Sequence, residues 1–423
     1  MNYTEAIKFI EATDWRGSIL GLARMERLMG LLGNPEKDLR FIHVAGTNGK
    51  GSTCAMIASV LTAAGIKTGL YTSPHLIRYN ERFKVDGCDI SDEEFCEMAE
   101  VVKEAADKMP ADDQPTVFEV TTAMAFCWYK YKGCEAVVLE VGLGGRLDAT
   151  NVIPAPVLAV ICNLDLEHTA VLGNTIEEIA FEKGGIIKPG CEVILYGQGE
   201  KAQNVIIDIC RERDCRLTIT APDKAEPVES SLESQTISYK GRKNIRLSLI
   251  GNYQMSNALT AIDAIDALNG LGFEISEEAL RSGLANTVWS ARFQVIKKDP
   301  ILLLDGAHNP NGVSELVKCL QTYTPGKRFV FVCGVMADKD YMQMLRMMAP
   351  FAERFITVTP DNSRALDSEK LCGIIEAELG IPAESAGGVK DGMRAAMEYY
   401  KKNKDVCIFG SLYQAGEVLA FFE

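Results

Sequence analysis

A glycine-rich stretch with a lysine and hydroxyls, HVAGTNGKGST at residues 43–53, is the segment best suited to hold a phosphate. The common pattern G-x-x-x-x-G-K-[ST] fails here, because Val44 stands where it needs glycine and Gly51 where it needs a hydroxyl. Glycines still let the backbone approach an anion, a following helix would offer free amides, and Lys50 adds charge. The sequence therefore predicts a variant phosphate-binding loop. Its candidate ligand-binding residues are Gly46, Thr47, Asn48, Gly49, Lys50, Gly51 and Ser52.

Strand-like and helix-like segments alternate around this loop. The strand-like runs are RFIHVA, AVVLEV, VLAVIC, CEVILY, ILLLD, RFVFVCGV, RFITVT and DVCIFG. Such alternation is typical of α/β proteins with parallel sheets. A polar interval over residues 221–250 ends in period-two alternation, which predicts a loop followed by a β-ribbon.

A second series of strands begins at ILLLD, after two helix-like segments, so we place a domain boundary near Thr287–Arg292. The prediction is an N-terminal ATPase domain over residues 1–289, with a phosphate loop and a parallel sheet. A smaller Rossmann-like α/β domain would then occupy residues 290–423.

Composition excludes several classes of protein. The 423 residues are 47% hydrophobic, enough for a sizeable core, and no run approaches the roughly 20 apolar residues of a membrane span. The N-terminal stretch does not resemble a signal peptide, and the thirteen cysteines form no C-x-x-C pair. We expect a cytoplasmic protein. A formal net charge of -14 argues against a nucleic-acid partner.

Four further segments strengthen the interpretation of the loop. They are TSPHLIRYNERFKVDG (72–87), LEVGLGGRLDATN (139–151), EKGGIIKPG (182–190) and DGAHNP (305–310). In this order they resemble the motifs of the bifunctional dihydrofolate synthase/folylpolyglutamate synthases, which are ATP-dependent amide ligases of the Mur ligase superfamily. The resemblance implies ATP and Mg²⁺ as cofactors. It also implies addition of L-glutamate to dihydropteroate, reduced folates or both, through an acyl phosphate, in folate biosynthesis and one-carbon metabolism.

The resemblance also assigns roles to individual residues. It makes Glu140 a magnesium ligand, and Ser73 and His168 partners for a second magnesium. Glu140 also ends the strand-like run AVVLE, at the edge of the sheet where α/β sites form. It assigns Asn257, Arg292 and Asp305 to ATP. It makes Lys50, Lys183 and His308 catalytic, with Lys183 matching a lysine that the family carbamylates. From the residues alone, Lys183 would be a lysine on a helix surface.

Two positions depart from the family pattern. The chain has Asp165-Leu166-Glu167-His168 where the family tends to have Gly-x-Asp-His, and Ser290 stands where proline is frequent. Residues for the pterin substrate are carried over as Thr116, Phe118, Glu119, Leu147, Asp148 and Ala149. Phe118 could stack on a pterin ring or be a core aromatic, and Glu119 could pair with the ring's donor edge.

Alternative functions remain open from the sequence. Other Mur-type ligases carry a nucleotide-sugar domain of about a hundred residues before the loop, for which there is no room before His43. A phosphotransferase or nucleotide switch would use the same loop without Glu140, His168 and a second domain. A non-catalytic ATP-binding module would bind ATP without turnover. We expect a monomer, and leave open the choice of pterin and the length of the glutamate chain.

Overall fold

The computed structural model describes residues 1–12 and 20–422; residues 13–19, part of the stretch compared with a signal peptide, lie outside the described residues. In the described residues, helices α1–α15 span Tyr3–Glu11, Ala23–Leu31, Lys50–Ala63, Asp92–Ala106, Val117–Lys132, Thr169–Leu172, Ile176–Gly184, Glu200–Glu212, Asn252–Gly270, Glu277–Asn286, Pro310–Tyr323, Tyr341–Met348, Ser368–Leu379, Val389–Lys401 and Leu412–Phe422. Strands β1–β17 span Phe41–Ala45, Thr68–Tyr71, Phe83–Val85, Cys88–Asp89, Ala136–Glu140, Leu158–Ile161, Glu192–Tyr196, Arg216–Thr220, Glu226–Ser230, Gln235–Tyr239, Arg242–Leu247, Gln294–Lys298, Ile301–Leu304, Phe329–Cys333, Ala352–Thr359, Ala383–Gly388 and Val406–Phe409.

The first sheet has eight strands in the order β4-β3-β2-β5-β1-β6-β7-β8. Strand β1 lies near its middle and pairs in parallel with β5 on one side and β6 on the other. All five residues of β1 and of β5 are buried, as expected for central strands covered by helices on both faces. This sheet therefore holds the phosphate loop, which follows β1, at its centre.

The second sheet has six strands in the order β12-β13-β17-β14-β15-β16. It begins at Gln294 and is parallel except for β12, which pairs antiparallel with β13. Strands β9, β10 and β11 form a separate antiparallel sheet, so the expected ribbon has a third strand. The division of the chain into residues 1–289 and 290–423 stays a prediction.

The predicted α/β class with parallel sheets is confirmed, and each of the eight strand-like runs contains a strand. The sheet edges were not anticipated: β3 and β4 add an antiparallel hairpin to the first sheet. Edge strands such as β8 and β16 are largely exposed and lack the apolar runs by which buried parallel strands are recognised. None of the described helices is long and apolar enough to cross a membrane.

Candidate active site

The chemistry-bearing residues of the first domain follow four neighbouring strands. Strands β2, β5, β1 and β6 are adjacent and mutually parallel, so their carboxyl ends meet at one edge of the sheet. Ser73 follows β2, Glu140 ends β5, the phosphate loop follows β1, and Asn163–His168 follow β6. Sheet order thus brings together segments that are far apart in sequence, at the edge where ligands bind in open α/β sheets.

The phosphate loop is held by backbone contacts and by the helix that it precedes. The amide of Thr47 donates to the carbonyl oxygen of Asn163 at 2.8 Å. Gly49, with φ 85°, precedes α3, and a Cβ on it would lie 2.3 Å from Oδ1 of Asn257. Lys50 Nζ donates to the carbonyl oxygens of Gly46 at 3.0 Å and Thr47 at 3.3 Å. The ammonium is thereby folded back over its own loop.

Glu140 is a buried carboxylate that lines the cavity next to this loop. Its Oε2 accepts a hydrogen bond from the Ser73 amide at 2.9 Å. Burial raises its pKa, while Lys50, the Ser73 amide and Arg292 act in the opposite direction. The carboxylate therefore needs nearby cations to stay ionised.

Lys183 lies inside the protein, where the residues alone had favoured a helix-surface position. It is 4% exposed near the end of α7, and Nζ donates to the carbonyl oxygen of Gly46 at 2.8 Å. Burial, with the positive charge of Lys50, lowers the pKa of its ammonium to about 7. A substantial fraction of Lys183 is consequently neutral at physiological pH.

His168 lies at the first domain's rim of the cavity. It precedes the short helix α6 with a left-handed backbone (φ 51°), and its side chain is exposed. Burial of part of the ring lowers the pKa of His168, and the negative charge of Glu167 opposes this effect. The positive charges of Lys183, Lys339 and Lys50 lower the pKa further. Its ring is therefore mainly neutral at pH 7.

The second domain contributes the segment 291–308. Asp305 follows β13 and is buried; its Oδ2 accepts from the Phe293 amide at 2.7 Å and its Oδ1 from the Ala307 amide at 2.8 Å. Burial raises the pKa of Asp305, and the Arg292 guanidinium opposes that effect. His308 Nδ1 lies 2.9 Å from the carbonyl oxygen of Gly306. Because a carbonyl only accepts, the proton is on Nδ1 and the neutral ring leaves Nε2 as an acceptor.

Three contacts around the loop were not anticipated from the sequence. Gln254 donates to Ser52 Oγ at 3.1 Å and accepts from Asn257 at 3.0 Å. A Cβ on Gly51 would lie 2.5 Å from the Trp289 ring, so the indole covers that glycine. The only hint of this contact in the sequence was the position of Trp289, a large aromatic residue directly before the predicted domain boundary.

The candidate pterin residues lie beside the cavity, and none of them is among its described lining residues. Thr116 and Glu119 form the capping box of α5, and Glu119 also accepts from Arg24 Nε at 2.6 Å. Phe118 packs against Gly142, which does line the cavity. Asp148 is buried and accepts from the amides of Leu143 and Thr150, while Leu147 and Ala149 flank it.

Both domains line one cavity of about 1960 Å³. The first domain contributes Thr47, Asn48, Gly49, Lys50, Gly51, Ser52, Ser73, Glu140, His168 and Asn257; the second contributes Arg292, Asp305 and His308. Gly46, which belongs to the loop, and Lys183, which contacts it, lie outside the described lining. The arrangement surrounds one space with cations, two buried carboxylates and a phosphate loop.

Comparisons with known proteins agree with this architecture. Residues 44–265 match the Mur ligase middle domain, and residues 291–412 match the Mur ligase glutamate ligase domain. A dihydrofolate synthase/folylpolyglutamate synthase of Bacillus subtilis is 36% identical over 98% of both chains. The crystal structure of a folylpolyglutamate synthase from Thermotoga maritima is 32% identical and covers 99% of this chain and 96% of its own, with a TM-score of 0.88.

A third relative was solved with ligands. The Escherichia coli FolC protein, in complex with DHPP and ADP, is 30% identical and covers 100% of this chain and 98% of its own, with a TM-score of 0.84. Matches of this identity cover nearly the whole chain, and therefore both domains. The chain therefore belongs to the dihydrofolate synthase/folylpolyglutamate synthase family of Mur ligases, and is an ATP-dependent ligase.

Proposed function

We propose that this protein joins L-glutamate to the carboxylate of dihydropteroate, of a reduced folate, or of both. The observation that carries the proposal is the shared cavity, lined by Lys50 and Glu140 from one domain and by Arg292 and Asp305 from the other. The names of the relatives support a folate substrate, and the relative solved with DHPP and ADP supports an adenine nucleotide.

The reaction takes place in two transfers. A carboxylate oxygen of the pterin substrate attacks the γ-phosphorus of ATP, ADP leaves, and an acyl phosphate forms. The glutamate amine then attacks the acyl carbon, phosphate leaves with the electron pair of the C–O bond, and an amide results. Lys50 and Arg292 carry fixed positive charge at the cavity and would stabilise the transferring phosphoryl group.

The oxygen donors present fit Mg²⁺. The described residues contain no cluster of three or more His, Cys, Asp or Glu side chains that could hold a metal. Magnesium suits such a sparse set, because it keeps several waters and binds through one or two carboxylates plus substrate phosphates. We assign Glu140 as its main protein ligand, and Ser73 and His168 to a second magnesium, where His168 would supply a nitrogen ligand that is unusual for this hard cation. When bound, the ion neutralises phosphate charge.

Lys183 has the properties required for carbamylation. A neutral amine can attack carbon dioxide and release a proton, and the lowered pKa of Lys183 supplies that neutral form near pH 7. The product is an anion next to the phosphate loop, since Nζ already contacts Gly46. We propose that Lys183 acts in this carbamylated form.

His308 is the proposed base for the incoming amine. With the proton on Nδ1, its Nε2 can take a proton from the glutamate ammonium. Burial lowers the pKa of His308 below its usual 6.5, so the ring is neutral at pH 7. The pH profile of turnover should therefore have an acid limb below pH 6.5, which His308→Ala should abolish along with most activity; an unchanged limb in a slower variant would contradict the assignment.

ATP and the pterin occupy different parts of the cavity in this proposal. Asp305, whose two oxygens each accept one backbone amide, keeps free lone pairs for ribose hydroxyls. We assign Asn257 to the adenine. The pterin ring would lie near Phe118, which packs on Gly142 of the lining. The other residues assigned to it are Thr116, Glu119, Leu147, Asp148 and Ala149.

We also propose that the protein acts as a cytoplasmic monomer. The described lining already contains the residues that the proposed reaction uses, namely the phosphate loop, Glu140, Arg292 and Asp305. All thirteen cysteines are free thiols, which suits a reducing compartment.

ADP release tests this function against the alternatives. We expect steady-state ADP release, beyond one equivalent per enzyme, to require both the pterin acid and glutamate. Lys50→Ala should fold normally but lose about a hundredfold in rate. A phosphotransferase would release ADP over many turnovers without glutamate, and an ATP-binding module would release none. Near-wild-type turnover of Lys50→Ala would show that the loop does not hold the reacting phosphates.

A further inference from the structure

Asp165 follows β6 and connects the phosphate loop with the second domain. Its backbone amide donates to Thr47 Oγ1 at 3.0 Å, and Thr47 Oγ1 lies 3.0 Å from its carbonyl oxygen. Its side-chain Oδ2 accepts from Asn311 Nδ2 at 2.7 Å. One residue thus contacts the loop through its backbone and the other domain through its carboxylate.

The surroundings fix Asp165 from the first domain. The Leu164 amide donates to Gln198 Oε1 at 2.7 Å, and the Asn163 carbonyl accepts from the Thr47 amide. Oδ1 of Asp165 accepts from the Leu166 amide at 2.8 Å, which sets the direction of the carboxylate. The other carboxylate oxygen, Oδ2, is therefore directed at Asn311 of the second domain.

On the other side, Asn311 belongs to the segment that carries the proposed base. It lies in the first turn of α11, whose N-cap is Asn309, directly after His308. A contact that holds Asn311 therefore also limits movement of His308 relative to the phosphate loop.

We propose that Asp165 is a positioning residue: by binding Asn311, it couples the phosphate loop to closure of the second domain and so protects the acyl phosphate from water. The inference rests on the proposed function. Closure matters here because water reaching an acyl phosphate hydrolyses it and releases phosphate without an amide. The measurable consequence is the ratio of phosphate released to amide formed.

The test compares Asp165→Ala, Asn311→Ala and the double variant, each with ATP, Mg²⁺, glutamate and dihydropteroate or tetrahydrofolate. We expect about a three- to tenfold rise in phosphate per amide for each single variant, and no further rise in the double variant. The KM for ATP should stay within about twofold, because the backbone bonds between Asp165 and Thr47 persist in alanine.

A matched control is Glu233→Gln, which weakens a different contact between the first domain and the second. Glu233 pairs with Lys298 of β12 at the surface, and neither residue is among the described lining of the cavity. It should leave the phosphate-to-amide ratio unchanged. An equal effect in this control, or additive effects of the two alanine variants, would overturn the proposal.

Two further outcomes separate coupling from simple bracing and from a wrong function. If Asp165→Ala raises the KM for ATP while Asn311→Ala behaves as wild type, Asp165 only braces the loop and the coupling is refuted. If the wild-type protein forms no amide, the proposed function fails. In that case X-ray scattering with and without ATP still tests the coupling. We expect ATP to compact both alanine variants less than the wild-type protein, and equal compaction would refute the coupling.

Discussion

Burial of Lys183 makes its amine more reactive but lowers the stability of the folded protein. Its pKa lies at about 7 instead of 10.5, so the folded protein binds its proton less strongly than the unfolded chain does. This cost to stability is complete below pH 7, declines as the pH rises, and vanishes above 10.5. The same shift makes the amine available for carbamylation.

Replacing Lys183 should therefore stabilise the protein and inactivate it. In bicarbonate-free buffer at pH 7, we expect Lys183→Met to raise the free energy of unfolding by about 1–3 kcal/mol, since loss of the bond to Gly46 offsets part of the gain. Denaturant unfolding at pH 7 and pH 10 measures this; the gain should shrink at pH 10. A gain that is constant with pH would mean that the lysine is not desolvated.

Activity of Lys183 variants tests the carbamate separately. Lys183→Ala should lose most turnover, and high bicarbonate should not restore it. Lys183→Glu keeps an anion at the same place and should retain a trace of activity. An ammonium that stays free at high bicarbonate in the wild-type protein, seen in electron density, would refute the carbamate.

The start of helix α5 combines a structural role with a proposed substrate role. Glu119 caps the helix through Thr116 and pairs with Arg24, with both side chains almost buried. Glu119→Ala removes this charged hydrogen bond and the reciprocal bond of the cap, and should lower the free energy of unfolding by about 1.5–3 kcal/mol. Glu119→Gln should cost less, because the amide can still accept from Thr116.

Kinetics separate the two roles of Glu119. If it also binds the pterin, Glu119→Gln should raise the KM for dihydropteroate while the KM for ATP is unchanged. A variant that is less stable but has normal KM values would restrict Glu119 to the helix cap.

The elements that the sequence predicted are those with strong local signals. The glycine-rich loop and the apolar runs of β1 and β5 specify a phosphate loop and buried strands through residues adjacent in sequence. Contacts such as Trp289 over Gly51 or Asp165 with Asn311 join distant segments of the chain. They depend on sheet order and domain packing, which no local pattern encodes. For the same reason the residues alone placed Lys183 on a helix surface, whereas it is buried.

We expect the two domains to close around ATP. Lys50 and Glu140 lie on one side of the cavity and Arg292 and Asp305 on the other, so an open form could not act on the phosphates. Scattering profiles with ATP, Mg²⁺ and pterin should show a smaller radius of gyration than profiles of the free protein. Identical profiles in a fully active enzyme would mean that the domains are already fixed in the closed arrangement.

The most direct measurement is the mass of the product. With ATP, Mg²⁺ and L-glutamate, we expect dihydropteroate or a reduced folate to gain the mass of one glutamyl residue, with ADP and phosphate released one for one. Omitting any one of the three should abolish the gain. If neither pterin is extended while a UDP-linked muramyl substrate is, the protein is a cell-wall ligase and the proposed addition of glutamate to a pterin is wrong.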